Sequence, residues 1–154
     1  MVGSNAGTVR ESSATGNVNG SSSVGGLVGR NEGTVDEASA RGTVSSRSNA
    51  GGLVGFNTRS GTVRESYATG NVSGLGSVGG LVGENAGDPD GSDGTVTMSY
   101  ATGNVSVASS QFDGLSGGGL VGRNSGVVRA SYAAGSISAA PSVDYVGGLV
   151  GRNE

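Results

Sequence analysis

The feature that most constrains this chain is a sequence unit that recurs along its 154 residues. The string GGLVG-x-N places leucine at positions 27, 53, 81, 120 and 149, so successive units are 26, 28, 39 and 29 residues apart. A second string, GTVRESYATGNV in its third copy, recurs from Gly7, Gly33, Gly61, Gly94 and Gly126. Self-similarity with a period of roughly 20–50 residues is typical of stacked repeat architectures, in which each unit buries its apolar face against its neighbours.

The composition excludes several other classes of protein. Glycine supplies 33 residues and proline 2, without the strict three-residue period of collagen, and glycine disfavours helices. The chain has no Cys and no His, and its nine basic residues are all Arg. These absences remove thiol nucleophiles, Ser-His-Asp triads, His-ligated zinc and Schiff-base lysines. A net charge of −3 disfavours nucleic acid as a partner.

The domain organisation follows from the repeat. We expect residues 1–154 to form a single repeat domain, with insertions at 88–94 (DPDGSDG) and 107–117 (VASSQFDGLSG) that account for the long third spacing. Val2-Gly3-Ser4-Asn5 aligns with Val28-Gly29-Arg30-Asn31, and residues 147–153 begin a further unit. The segment therefore resembles a piece of a longer array.

The repeat unit resembles a known family. GGLVGxN followed by GTV and SYATGNV is similar to the GLUG repeat of large bacterial and archaeal secreted and surface proteins, including adhesin-like ones. The resemblance covers nearly the whole chain outside the two insertions. It implies an extracellular or cell-surface β-solenoid, and it implies no particular activity.

The residue pattern predicts the same fold independently. Side chains alternate across a strand with a period of two, and the second string alternates between small or apolar and polar positions. In the third unit the inward set is Ser66, Ala68, Gly70 and Val72, and the outward set is Tyr67, Thr69 and Asn71. We therefore predict an all-β, parallel β-solenoid of about five 26–29-residue coils, thin and flattened, with two or three short strands per coil.

Residues at the same position of successive repeat units form what we call a column, and one column is asparagine in every unit. Asparagine follows every GGLVG-x, and its amide can both donate and accept along a stack. We predict a structural ladder of Asn5, Asn31, Asn57, Asn85, Asn124 and Asn153.

A carboxylate column raises the alternative of a carbohydrate-active enzyme. Glu11, Glu37 and Glu65 occupy one column, and stacked coils would hold their carboxylates about 5 Å apart, which is close to the separation in retaining glycosidases. Met98 and Ala130 end this column. A solvated Arg/Glu corner is the preferred interpretation, and no residue is assigned to catalysis.

The first insertion contains a partial calcium pattern. Asp88, Asp90 and Ser92 stand at the first, third and fifth positions of a calcium loop, whereas Asp93 replaces its required glycine and Ser99 its terminal glutamate. We expect no cofactor, with Asp88, Asp90 and Asp93 as the weak calcium candidates.

A row of tyrosines carries the alternative of a binding module. Tyr67, Tyr100 and Tyr132 would face outwards on consecutive coils, near Thr69 and Thr102. Such rows can stack on sugar rings, and regular threonine rows can order water, so a glycan or ice is the ligand of this alternative. Cross-strand aromatic packing explains the same row without any ligand.

A valine column suggests an interface. In a regular strand Leu and the following Val cannot both point inwards. With the leucines inside, an outward apolar strip is expected at Val28, Val54, Val82, Val121 and Val150. We expect homo-association through this strip or end to end into filaments, and a non-enzymatic stalk or adhesive module on the cell surface.

Overall fold

The computed structural model describes residues 1–109 and 113–154, which form a parallel β-solenoid. The first five coils run from Val2 to Gly25, Val28 to Gly51, Val54 to Gly79, Val82 to Gly118 and Val121 to Gly147; Val150–Asn153 begins the next coil. Strands at equivalent positions of successive coils pair in parallel and make five sheets, named A to E in the order the chain meets them. The predicted fold class is confirmed.

The strands of each sheet are short and occupy the same repeat position in every coil. Sheet A contains Val2–Asn5, Val28–Asn31, Val54–Asn57, Val82–Asn85, Val121–Asn124 and Val150–Asn153. Sheet B contains Thr8–Arg10, Thr34–Asp36, Thr62–Arg64, Thr95–Thr97 and Val127–Arg129. Sheet C contains Ser13–Ala14, Ser39–Ala40, Tyr67–Ala68, Tyr100–Ala101 and Tyr132–Ala133.

The remaining two sheets complete each coil. Sheet D contains Val18–Gly20, Val44–Ser46, Val72–Gly74, Val105–Val107 and Ile137–Ala139. Sheet E contains Val24–Gly25, Ala50–Gly51, Ser77–Gly79, Ser116–Gly118 and Tyr145–Gly147. Each coil therefore has five short strands, not the two or three expected, because the SYATGNV string bends at its glycine and divides between sheets C and D.

The interior is divided into two apolar cores. One contains the leucine and valine of GGLVG with the sheet B valines, and the other contains the valines of sheet D with Val24, Ala50 and Val78 of sheet E. Between them the walls touch: a Cβ added to Gly52 would lie 2.7 Å from the Cβ of Ala68, and one on Gly80 2.9 Å from that of Ala101. Small residues therefore bring opposite walls into contact and make the coil thin, as predicted from the inward Ala68 and Ala101, whereas the alternation predicted Gly52 and Gly80 to face outwards.

The valine strip was predicted wrongly. Val28, Val54, Val82 and Val121 are all fully buried, as are Leu53, Leu81 and Leu120. The backbone bends at each Gly-Leu pair, so that the N–H groups of Leu53 and Val54 both donate to the carbonyl of Leu81, at 2.9 and 3.0 Å. Consecutive N–H groups alternate sides in an extended strand, so this shared acceptor shows why Leu and Val both face the core. The buried valines, with half-buried Val150, give no exposed interface.

Both insertions lie in the fourth coil, at corners. Residues 88–93 extend between sheets A and B, and Gly94 resumes the repeat. The second insertion is narrower than expected, because Val107 pairs with Gly74 in sheet D and Ser116 with Ser77 in sheet E. Its residues 110–112 lie outside the described part of the chain.

Candidate functional site

The asparagine column forms a continuous hydrogen-bonded ladder inside the solenoid. Each side-chain Nδ2 donates to Oδ1 of the asparagine in the following coil, at 2.7–2.8 Å, from Asn5 through Asn153. From Asn5 to Asn124, each amide also donates to a backbone carbonyl, as Asn57 does to Gly61 at 3.0 Å and Asn85 to Gly94 at 2.9 Å. Asn31, Asn57 and Asn85 are fully buried, so this column is structural.

The carboxylate column lies at an exposed corner between sheets B and C. Glu11, Glu37 and Glu65 have positive φ angles of 48°, 48° and 50°, and Met98 and Ala130 continue the same left-handed position. The carboxylate of Glu37 accepts a hydrogen bond from Arg10 at 2.9 Å, and Glu65 lies 3.9 Å from Arg64. Paired with arginines on an open surface, these groups match the solvated Arg/Glu corner expected from the sequence.

Sequence reasoning missed a buried charge beside this corner. Asp36 is only 2% exposed and stacks between two arginines, with Arg64 Nη2 at 2.6 Å and Arg10 Nε at 3.5 Å from its Oδ2. The alternation Arg10, Asp36, Arg64 within one column was the available signal, because aligned residues of stacked coils become neighbours in space. The arginines pair with Oδ2 of Asp36 across the first three coils, whereas its buried Oδ1 has no hydrogen-bond partner among the described residues.

The carboxylates of the acidic insertion make local contacts in the structure. Asp88 is paired with Arg59, and Asp90 accepts a hydrogen bond from the backbone N–H of Ser92 at 3.1 Å. Across residues 1–109 and 113–154, no three His, Cys, Asp or Glu residues lie close enough together to hold a metal ion. Asp93 is half-buried and lies over Gly87. Local turn bonds and an ion pair thus occupy the carboxylates of Asp88 and Asp90.

The tyrosine row is a stack of parallel rings on sheet C. The ring centroids of Tyr67 and Tyr100 are 5.0 Å apart, and those of Tyr100 and Tyr132 are 5.1 Å apart, with interplanar angles of 3° and 5°. Arg41 lies over the Tyr67 ring and donates to its hydroxyl at 2.8 Å. Hydrogen bonding by Ser39 and Arg41 lowers the pKa of Tyr67. Both faces of the Tyr100 ring are covered, so no sugar ring can stack on it.

The threonines near this row are fully on the surface. Thr69 and Thr102 lie at the corner between sheets C and D and are exposed. The separate sheet B column of Thr8, Thr34, Thr62 and Thr95 aligns in register, but it runs beside the charged column that contains Arg10, Asp36 and Arg64. Of these two sets of threonines, Thr69 and Thr102 are therefore the ones that lie near the tyrosine row of sheet C.

Comparison with known proteins now gives the family. The geometry defines a β-solenoid repeat module in which each coil pairs in parallel with its neighbours along the stack. The family model described as the GLUG motif matches residues 20–45, 46–73 and 74–106, more than half of the chain, and the chain belongs to this family. No curated protein and no solved structure matches the chain. In its described part, no helix is long and apolar enough to cross a membrane.

Proposed function

We propose that this repeat module is a non-catalytic spacer, or stalk, in an extracellular surface protein. The observation that carries the proposal is the axial continuity of the structure: five parallel sheets and one buried amide ladder run through all the coils. Each added coil extends the molecule by about 4.8 Å and satisfies the backbone groups of the coil before it. Such a stack grows in length without changing its cross-section, which suits a spacer.

A non-catalytic role is supported by the chemistry at the surface. The carboxylates that could act as an acid–base pair lie on an open corner and are held by arginines. The chain contains no His, Cys or Lys that could serve as a base or nucleophile beside them. Assays of reducing-sugar release on neutral and acidic polysaccharides test this point, and we expect no activity above a buffer control.

Deleting one coil tests the spacer proposal. Removal of residues 54–81 joins Leu53 to Val82, and because Val28, Val54 and Val82 are in register, the shortened chain keeps every column aligned. We expect it to melt cooperatively and to be shorter by X-ray scattering. The matched control removes residues 54–67, half a coil, and should lose the cooperative transition. Equal behaviour of the two deletions would contradict a modular stack.

Location requires a separate experiment. Antibodies against this module should label intact, unpermeabilised cells of the source organism if the protein lies on the surface. Labelling only after permeabilisation would overturn the extracellular part of the proposal and leave the spacer geometry untouched.

We also propose that copies of this chain associate head to tail. The amide ladder is directional, with Nδ2 always pointing towards the next coil, and exposed Val146 and Leu149 lie on the last coils. Apolar residues and unpaired strand edges at the end of a solenoid favour contact with a second copy of the chain. Light scattering over a concentration series should show that the apparent molecular mass increases with protein concentration. The double variant Val146→Asp with Leu149→Asp should abolish the association, whereas Thr102→Asp, on the side of the solenoid, should not. A monomer at every concentration would refute the proposal.

A further inference from the structure

The sheet C and D side of the solenoid has no charged residue of its own in the third, fourth and fifth coils, and Arg41 and Arg47 border it in the second coil. The chain has 9 basic and 12 acidic residues, yet residues 66–74, 99–109 and 131–140 contain none of them. These segments are the sheet C and D strands of the third, fourth and fifth coils, together with the corners between them. The ion pairs of the described residues lie elsewhere, on sheets A and B and their corners. Neutrality on one side of a charged molecule selects for uncharged partners.

A groove of about 270 Å³ runs across sheet D of the second, third and fourth coils, partly within this uncharged region. Its two walls are outward columns of uncharged polar residues, and the backbone of the sheet D strands forms its floor. Thr43, Asn71 and Asn104 make one wall, and Ser45, Ser73 and Ser106 make the other. All six side chains are exposed, and they repeat from coil to coil at about the 4.8 Å strand spacing. The groove therefore follows the solenoid axis.

The wall amides are fixed in orientation. The Oδ1 of Asn71 accepts the backbone N–H of Asn104 at 3.0 Å, and the Oδ1 of Asn104 accepts that of Ser136 at 3.0 Å. With its oxygen held, each amide presents its NH₂ group outwards, and neither nitrogen donates to another described residue. Each NH₂ has two N–H donors. The wall thus offers preorganised donors at a regular interval, opposite a row of serine hydroxyls.

These features favour one class of ligand. A peptide strand could not add to sheet D from this side, because Val72 already pairs with Val44 and Val105, and the sheet D valines point inwards and leave no side-chain pocket. A cationic polymer would find no carboxylate in residues 66–74, 99–109 and 131–140. An anionic polymer would meet Arg41 and Arg47 beside the second coil, where Arg41 already donates to Tyr67, but no arginine along the rest of the walls. A neutral polysaccharide carries hydroxyl groups that both donate and accept, at a regular repeat along a linear chain.

We propose that this groove binds a linear, uncharged polysaccharide lying along the solenoid axis. The amide wall donates to the sugar hydroxyls, and the serine wall both donates and accepts. The repeated coils make the affinity increase with the length of the chain bound. This binding goes beyond the spacer role and does not depend on it, since a coil stack can act as a spacer with or without a ligand.

Retention of the purified 154-residue chain on insoluble polymers tests the proposal. The probes are microcrystalline cellulose, chitin and insoluble starch, with a carboxymethylated cellulose resin as the charged comparison. In one variant, Asn71→Asp with Asn104→Asp keeps an oxygen for each backbone N–H and removes the NH₂ donors. In a second, Ser73→Val with Ser106→Val removes the hydroxyl wall without adding charge. The matched control, Thr62→Val with Thr95→Val, changes the paired threonines of sheet B, where Val127 already occupies the column.

The expected result is retention on at least one neutral polymer, with affinity reduced about tenfold or more in both groove variants and unchanged in the control. Circular dichroism of each variant establishes that it is folded. Absence of retention on all three neutral polymers would overturn the proposal, and so would an equal loss in the sheet B control. Ice shaping or thermal hysteresis without polysaccharide retention would identify ice as the ligand and likewise overturn it.

Discussion

The side-chain amide of Asn57 donates to the side-chain oxygen of Asn85 at 2.7 Å, with both residues fully buried between stacked coils. The same amide donates to the carbonyl of Gly61, and its oxygen accepts from Asn31 at 2.8 Å. Every polar atom of this buried side chain is therefore satisfied within the protein. A buried polar group that loses its partner carries a desolvation cost of a few kcal/mol, so the ladder sets a strict requirement at this position.

Replacing Asn57 with alanine should destabilise the protein by about 2–3 kcal/mol, because it leaves the Asn31 donor and the Asn85 and Gly61 acceptors without partners in the interior. Urea denaturation measures the change. Asn153→Ala, at the exposed end of the same ladder, is the control and should cost less than about 1 kcal/mol. Equal losses would mean that the ladder contributes nothing through its burial.

Gly103 should not tolerate alanine. A Cβ at this position would lie 2.0 Å from the carbonyl oxygen of Gly70 in the preceding coil, and the backbone cannot move away without breaking the stack. We expect a loss of about 3 kcal/mol or more in the free energy of unfolding. Gly16 occupies the same column in the first coil, where an added Cβ meets nothing within 4 Å. Gly16→Ala should leave the melting temperature close to wild type, and a comparable fall in both variants would refute the steric explanation.

Leu81→Asp and Val82→Lys should be severely destabilising to a similar degree, since both side chains are fully buried in the same core. Each variant places an unpaired charge in an interior without water, at a cost of about 4 kcal/mol or more. Thr102→Lys at an exposed corner is the control and should melt near wild type. If Val82→Lys alone melted normally, Val82 would face solvent, contrary to the bend at Leu81.

Ala130→Gly should stabilise the protein. Ala130 has a φ of 46°, in the left-handed region that disfavours any residue with a Cβ, and glycine removes about 1 kcal/mol of that cost. Ala134 lies nearby at an exposed position outside that region, so Ala134→Gly should instead lower stability by about 0.5–1 kcal/mol through unfolded-chain entropy. We expect the melting temperature to rise in Ala130→Gly and to fall in Ala134→Gly. A lower melting temperature in both variants would contradict the strain at Ala130.

Glu154 should titrate below the usual range of a glutamate. Its hydrogen bond from Arg123, at 2.7 Å, lowers the pKa of the Glu154 carboxyl. A lowered folded-state pKa means that the contact stabilises the protein above the unfolded-state pKa and is lost as the pH falls through the folded value. A carboxyl-detected NMR titration should show the pKa rising towards normal in Arg123→Gln. Arg129→Gln, on the neighbouring sheet, is the control and should leave it unchanged.

Much of the fold was determined by the sequence alone. Stacking aligns equivalent residues, so the repeat itself identified the columns, and the period of two placed Ala68, Gly70 and Val72 inside. The ladder of invariant asparagines and the thin, flattened coil also followed from residue types, because an amide can donate and accept along a stack and inward Ala and Gly leave little width. The contact of Gly52 with Ala68 did not, because alternation in a regular strand predicts Gly52 on the outward side with Val54. The repeat unit also indicated the GLUG family, which the family model confirms.

Only the tertiary structure decided which way the corners turn. Alternation holds within a straight strand, and it failed at Leu53 and Val54 because glycine-rich corners adopt bends that the sequence pattern does not encode. The same coils stack Tyr67 on Tyr100 face to face, bury Asp36 between two arginines, and align Asn71 with Asn104 along a neutral groove. These relationships join residues about thirty positions apart, and they exist only once parallel pairing at about 4.8 Å has set one coil upon the next.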